Sequence, residues 1–480
     1  MIIDPHFIRD HIDQFSKKEA SKLLKEWIEN SNKQYLRKEA IELFFSIDDG
    51  TNFEFYEHLF ISDENKEIRD LAGKILTQNY AYHTNFLPLL EFTLRNVENL
   101  DQKFFVIDVL NSICSKNAIR IIRTYLINFS RIRELKKEGN LLEEFDDSIS
   151  NIQINPGFLE KIFNLILFEF YSKICNFHLA FRNGYIILLS CEGMNIKRLD
   201  EVEGLNRLEH LEHLILKRNK LDAINNIENL INLKILDLSF NNILKLEHLN
   251  SLKSLVELNL EGNNIYKINT LFDLPHLERL YLNSNNLKEI KNLENLNELK
   301  LLNLNQNKIK KISNLEQLKN LSQLNLASNR IEKIEGLIKN PNLISLYLND
   351  NHLKKIEGLD RLTKLKVMNL SNNYIERIEN LDNLKNLIKL EISNNKIKKI
   401  EGLDSLMHLQ ELFLDRNYIE KFEGLKELKG LIILFLDNNN IKEFTIDQIQ
   451  NLQNLNFIFL NENPLSPESR KAYQNKCKFP

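Results

Sequence analysis

The chain of 480 residues predicts an α+β solenoid: an N-terminal all-α domain, then a curved horseshoe with a parallel sheet on its concave face. Three observations predict it. An asparagine returns every twenty-two residues, at Asn219, Asn241, Asn263, Asn285, Asn307, Asn329, Asn351, Asn373, Asn395, Asn417 and Asn439, and after a two-residue insertion at Asn463. Each stands in the frame L-x-x-L-x-L-x-x-N-x-(L/I), as in Leu299, Leu302, Leu304, Asn307 and Ile309, so a short alternating strand precedes every asparagine. The first third of the chain lacks this frame and spaces its apolar residues three and four apart, the pattern of amphipathic helices.

The helical domain occupies residues 1–133. Ser16 stands where a helix begins, and Ala20, Leu23, Leu24 and Trp27 follow on one face. A weak repeat comes next: Arg37-Lys38-Glu39-Ala40-Ile41, Arg69-Asp70-Leu71-Ala72-Gly73 and Lys103-Phe104-Phe105-Val106-Ile107, each trailed by an apolar pair (Leu43-Phe44, Ile75-Leu76, Val109-Leu110). With partner helices near Asn52–Ile61 and Asn85–Val97, this stretch resembles HEAT-type helical hairpins. Residues 134–156 mix charges and polar groups, as in Glu143-Glu144-Phe145-Asp146-Asp147-Ser148, and predict a loop or hinge. Residues 157–185 are apolar. They are expected to form a helical segment capping the solenoid, because a terminal repeat cannot bury its own open face.

The repeats fill residues 186–462, twelve turns whose frames begin at Leu211 and end with Leu455, preceded by a degenerate strand at Ile186–Cys191. Residues 463–480 form a C-terminal cap. In one turn, Leu299, Leu302, Leu304, Ile309, Ile312, Leu315 and Leu318 point inward, and Asn303 faces the open side. The return path is too short for a full helix and predicts extended or 3₁₀ turns. The recurring asparagine is structural: its buried amide satisfies backbone groups that would otherwise cost about 1–3 kcal/mol each.

This frame is the leucine-rich-repeat signature. The twenty-two-residue form, with I-x-x-I-x-x-L-x-x-L after the asparagine, is similar to the intracellular leucine-rich-repeat regulator of protein phosphatase 1 and to bacterial internalin repeats. Asn463-Pro464-Leu465 followed by Tyr473 resembles the C-terminal cap of the intracellular group. The resemblance covers residues 186–480. It implies a non-catalytic protein–protein interaction scaffold that grips a globular protein on its concave face. A phosphatase catalytic subunit and a small GTPase are the expected partner classes.

Twelve strands at about 4.8 Å spacing make a concave sheet about 55 Å long. Its outward residues are the third, fifth, seventh and eighth of each frame. The fifth runs Ile215, Asp237, Asn259, Tyr281, Asn303, Asn325, Tyr347, Asn369, Glu391, Phe413, Phe435, Phe459. Ile433 and Phe457 flank the closing phenylalanines at the third position, and Asp415 and Asp437 at the seventh. Aromatics in a polar rim have the composition of a binding hot spot. The candidate partner-binding residues are therefore Phe413, Phe435, Phe459, Phe457, Ile433, Asp415, Asp437, Tyr281, Tyr347 and Glu391. The competing expectation is that the tail Ser466–Pro480 folds over the phenylalanines. The outward charges lean acidic, against Lys217, Arg218, Arg279, Lys389 and Arg416, which disfavours a nucleic acid and favours a basic protein patch. Lys310-Lys311, Lys354-Lys355 and Lys398-Lys399 recur with the repeat and read as a solvated edge.

The net charge of −3 exerts no global pull toward nucleic acid or anionic membrane. Cys114, Cys175, Cys191 and Cys477 have no C-x-x-C or zinc spacing. Met1-Ile2-Ile3-Asp4-Pro5 has neither a basic nor an apolar leader region, and Phe158–Phe168 is too short for a bilayer, so a soluble, cytoplasmic protein is expected. No phosphate-binding glycine loop and no H-E-x-x-H occurs, and His210 and His213 fall on repeat surface. No catalytic residue, cofactor or metal is expected. Two other readings remain open: an enzyme with its site in the helical domain, marked by clustered His, Asp, Glu or Cys, and a purely structural spacer.

Overall fold

The structure, a computed structural model, describes residues 4–113, 115–127, 129, 154–268 and 274–476. Most of the expected hinge, residues 134–153, lies outside the described residues, as do Cys114 and Cys477. The chain divides into two compact units, Met1–Cys175 with Arg182–Tyr185, and Asn176–Phe181 with Ile186–Pro480.

Capping and apolar stripes build the first unit. Its helices are α1 (Pro5–Asp10), α2 (Lys17–Asn30), α3 (Gln34–Ile47), α4 (Phe53–Ser62), α5 (Lys66–Asn79), α6 (Phe86–Asn96), α7 (Leu100–Ser112), α8 (Lys116–Ile127) and α9 (Pro156–Phe170). The Ser16 hydroxyl accepts from the Glu19 amide, and the Glu19 carboxylate accepts from the Ser16 amide, a reciprocal cap that starts α2. α2 buries Ala20, Leu24 and Ile28. Leu23 and Trp27, expected in the same stripe, sit half-buried on its flank. α2 packs on α3, α4 on α5 and α6 on α7, while α3, α5 and α7 follow one another, so the expected hairpins stack. The recurring basic residue does a different job in each. Arg37 pairs with Asp63 through both terminal nitrogens and donates Nε–H to the Ile28 carbonyl at 2.6 Å. Arg69 donates to the carbonyls of Asp63 and Glu64 at 2.8 and 2.9 Å. Lys103 lies 5.5 Å over the Tyr125 ring.

The single helical segment expected over residues 157–185 is corrected by the structure. α9 is capped by Asn155 and sets Phe163 edge-on to Phe104 at 5.2 Å, within the helical unit. It ends at Phe170, a π-type turn takes Tyr171–Cys175, and two strands follow, β1 (His178–Arg182) and β2 (Tyr185–Ser190). Asn183 and Gly184 hold φ of 54° and 90° between them. That left-handed pair matches the twist of hairpin strands, and Asn-Gly supplies it at low cost. The stretch is apolar enough for a helix, and Asn183-Gly184 is the turn signal that makes it a hairpin.

The second unit follows the frame. Each of the twelve repeats contributes one three-residue strand, from β3 (His213–Ile215) to β14 (Phe457–Phe459), and all strands join one sheet in chain order. Neighbours from β2 onward pair in parallel, with equivalent frame positions in register, for example Phe413 with Phe435 and Phe435 with Phe459. The fourth frame position is buried in every turn, from Leu214 to Ile458. Among the described residues the return paths hold turns and short 3₁₀ segments such as Ile446–Ile449 and no α-helix.

The asparagines form the expected ladder. Asn307 Nδ2 donates to the carbonyls of Leu282 in the preceding turn (2.9 Å) and Leu304 in its own (3.1 Å), and its Oδ1 accepts from the Leu287 amide at 2.9 Å. The pattern runs from Asn219 to Asn463, each 3–8% exposed. The residue before each asparagine, the eighth of the frame, is left-handed throughout, as in Arg218 (57°), Gln306 (53°) and Glu462 (57°). The last helix, α10 (Pro467–Lys476), closes the stack: Tyr473 meets Phe444 edge-on at 6.4 Å, and its hydroxyl accepts from the Leu460 amide at 3.1 Å.

Candidate protein-binding surface

The fifth frame position supplies the side chains along the middle of the concave sheet, and the structure separates them into two kinds. Where it is Asp or Asn, the side chain folds back onto its own strand exit. Asp237, Asn259, Asn303, Asn325 and Asn369 each accept from the backbone amide two residues on, at 2.9, 3.1, 3.2, 3.0 and 2.9 Å. These are Asx turns, and they hold the chain as it leaves the strand. Aromatics in the same row have no such bond to make.

Three of those aromatics form a column. Phe413 and Phe435 stack with centroids 4.8 Å apart and planes 12° from parallel, and Phe435 and Phe459 at 4.1 Å and 7°. The stack follows from the parallel register, which places identical frame positions one strand spacing apart. All three rings are half-buried. Phe457, at the third position of the last strand, is 46% exposed, and its register neighbour Ile433 is half-buried. The described part of the tail ends in α10, which directs Tyr473 to Phe444 and to the backbone of Ile458 and Leu460; the rest of the tail in the competing expectation, residues 477–480, lies outside the described residues.

Lys389 closes the N-terminal end of the column. Its Nζ lies 4.9 Å over the Phe413 ring and meets Glu391 at 2.9 Å and Glu411 at 3.3 Å. The hydrogen bond to Glu391 above all holds the Lys389 ammonium above its ordinary pKa. Glu391 is thereby tied into the frame and also accepts from Asn369 Nδ2 at 2.6 Å. Asp415 accepts from the Ser393 hydroxyl, and Asp437 accepts from the Asn461 amide at 2.6 Å. Burial, then the nearby Asp415 and Glu462 charges, push the Asp437 carboxyl up, against the pull of its bond from Asn461. The structure thus gathers Phe413, Phe435, Phe459, Ile433, Phe457, Asp415, Asp437 and Glu391 into one patch. Tyr347 and Tyr281 stand apart, on strands three and six turns nearer the N-terminus. Tyr281 neighbours the Arg279–Glu257 ion pair (2.7 Å), and burial raises its phenol.

A family model described as leucine-rich repeats in two copies matches residues 297–339, 341–383 and 385–427. These turns are leucine-rich repeats. Among solved structures, an internalin (inlF) of Listeria monocytogenes is similar at 28% identity and a TM-score of 0.56, over 65% of this chain and 87% of its own. A leucine-rich-repeat protein of Leptospira interrogans is similar at 26% and 0.50, over 59% and 80%. The leucine-rich-repeat domain of APL1B, at 22% identity and 0.52, over 60% and 86%, shares the fold. No protein of curated function matches the chain in sequence.

Outside the leucine-rich repeats, the helical unit offers a cleft of about 620 Å³ lined by Arg95, Lys103, Tyr125, Ile166, Glu169 and Phe170, among others. Burial lowers the Lys103 ammonium there, and Glu169 is paired with Lys173. Three other buried polar residues of this unit bond its backbone: Thr93 to Leu89, Gln102 to Phe60 and Asn164 to Glu160. One polar knot joins two hairpins, where Asp48 accepts from Tyr80 and Asn52, each at 2.6 Å. Among the described residues no group of three His, Cys, Asp or Glu could hold a metal ion. The sequence reading missed the Asx turns and the Lys389 clamp. The first had a legible signal in Asx at the fifth position; the second depends on side-chain paths that spacing does not encode.

Proposed function

We propose that this protein is a non-catalytic interaction scaffold that binds a globular protein on the concave face of its last three repeats. The observation that carries the reading is the half-exposed column Phe413–Phe435–Phe459. Three rings in register on a sheet face, beside the exposed Phe457, offer apolar area that a partner can take from water. The partner classes to test first are a phosphatase catalytic subunit and a small GTPase, and a cytoplasmic setting belongs to the same proposal. The leucine-rich-repeat neighbours support an interaction role in general and name no partner for this chain.

The test is affinity capture from the source cell, with wild-type protein and the variant Phe413→Ala/Phe435→Ala/Phe459→Ala. Circular dichroism checks that the variant keeps its sheet. A stoichiometric partner bound by the wild type and lost by the variant is the expected result. An unchanged bound set removes the patch from the proposal, and no stoichiometric partner at all favours a structural spacer. Purified phosphatase and GTPase probes, added separately, decide the class.

A further inference from the structure

Several concave charges are paired inside the fold. Arg279 meets Glu257 at 2.7 Å, Lys389 meets Glu391 and Glu411, and Arg218 meets Glu192 at 3.6 Å. Beside the phenylalanine column three carboxylates lack such a pair. Asp415, Asp437 and Glu462 stand on the exits of consecutive strands, and among the described residues none has a basic side chain within ion-pair distance. Arg416, the one basic residue at the outward positions of these three turns, is exposed and pairs with none of them. The carboxylates repel one another, which is part of why the Asp437 carboxyl is pushed up. They do not converge on a point where a metal ion could sit. The complementary charge therefore suits a long basic side chain of a protein surface better than a point ion.

The rings constrain what accompanies that charge. In a near-parallel stack each face covers the next, so the column shows the concave space its edges. Ring edges carry the positive end of the aromatic quadrupole and suit apolar side chains, whereas a cation prefers a ring face. The cation's place is then beside the column, at the carboxylates. Resting on the proposed protein-binding role of this face, we infer that the partner presents a cationic apolar surface. An aliphatic or aromatic side chain lies across the edges of Phe413, Phe435 and Phe459, and an arginine or lysine next to it reaches Asp415, Asp437 and Glu462.

Fluorescence anisotropy with the full chain tests this. The probe is a labelled amphipathic helical peptide with a leucine stripe bordered by arginines, and its twins carry glutamine or glutamate in place of arginine. The arginine peptide is expected to bind about tenfold tighter than the glutamine twin at low salt, and the glutamate twin weakest. The preference should shrink at about 0.5 M salt, where screening acts within a few ångströms. It should disappear in Asp415→Asn/Asp437→Asn/Glu462→Gln, to which the arginine and glutamine twins bind alike. Equal binding of the arginine and glutamine peptides, a preference that survives the triple variant, or no binding of any peptide overturns the inference. The broader reading is judged separately. It stands if Phe413→Ala/Phe435→Ala/Phe459→Ala abolishes binding of the uncharged twin, and falls if that variant binds all three peptides as the wild type does.

Discussion

Replacing Asn307 with alanine removes one rung of the ladder, and the structure says what each lost bond costs. The Leu282 carbonyl loses Asn307 Nδ2 but keeps a bond from Asn285 at 3.1 Å, and the Leu304 carbonyl keeps one from Asn329 at 3.0 Å. Each loss is therefore a net hydrogen bond of about 0.5–1 kcal/mol. The Leu287 amide is different. Its acceptor is Asn307 Oδ1, and the residue is buried, so the variant leaves the N–H without a partner at about 1–3 kcal/mol. The expected destabilisation is about 2–5 kcal/mol. Asn303→Ala, four residues earlier, is the control: it removes one part-buried bond to the Asn305 amide, worth about 0.5–1.5 kcal/mol. Urea denaturation followed by circular dichroism compares the two. The two compact units need not unfold together, so amide hydrogen exchange supplies a local reading. The Leu287 amide should lose protection in Asn307→Ala and keep it in Asn303→Ala. Equal destabilisation of the two variants, or full protection of Leu287 in Asn307→Ala, would refute this account of the ladder.

Three more expectations rest on single sites. Gly402 is left-handed at φ 68°, and a Cβ there would come within 2.5 Å of the Ile378 carbonyl oxygen, whereas Asn380, at the equivalent place one turn earlier, donates to the Ile356 carbonyl at 2.7 Å. Gly402→Ala should lower the melting temperature clearly more than Gly402→Asn, because asparagine tolerates the left-handed region and can bond the carbonyl that alanine only crowds. Arg37→Ala removes the charge partner of the buried Asp63 carboxylate, which keeps a bond from the Asn65 amide, and should cost about 3 kcal/mol by denaturation of the helical unit. Asp437 has a raised carboxyl, so the folded state holds its proton to higher pH than the unfolded chain does, and stability falls as pH rises through that window. Asp437→Asn should then be slightly more stable than wild type at pH 7, by less than about 1 kcal/mol given its partial exposure. The advantage should vanish below the ordinary aspartate range, as thermal melts across pH 3–7 can check.

Much of the fold was open to sequence reading because one residue type at one period encodes it. An asparagine that must bond two turns at once cannot drift, so twelve strands and their register follow from Asn219 to Asn463. The β1–β2 hairpin is poorly legible because Phe177–Phe181 is apolar enough for either a helix or a buried strand, and Asn183-Gly184 is what tells them apart. The concave patch was half legible. Its residues could be named from frame positions, but which of them serve the fold could not. The eighth position shows why: Arg218, Gln306, Asp350 and Glu462 differ in chemistry, yet all hold the same left-handed backbone. Variety there does not by itself mark a partner, because the backbone is fixed while the side chain is in solvent.

The same distinction gives the phenylalanine column its meaning. At the fifth position an asparagine contributes an Asx bond to its own turn, as Asn369 does to the Ser371 amide at 2.9 Å. Phenylalanine forgoes that bond, worth about 0.5–1.5 kcal/mol, in three consecutive turns. It recovers a similar amount by stacking, about 0.5–1.5 kcal/mol per ring pair, while leaving the rings half exposed. On balance the solenoid gains little from the exchange. Phe435→Asn should restore an Asx bond, to the Asp437 amide, and break both stacks, for a net loss of at most about 2.5 kcal/mol. If the column exists for a partner, the same substitution should abolish partner capture while the melting temperature barely moves, the usual separation of stability from function at a binding site. A Phe435→Asn protein that unfolds with a loss above about 3 kcal/mol would mean that the rings hold the sheet together. The patch would then need no partner to explain it.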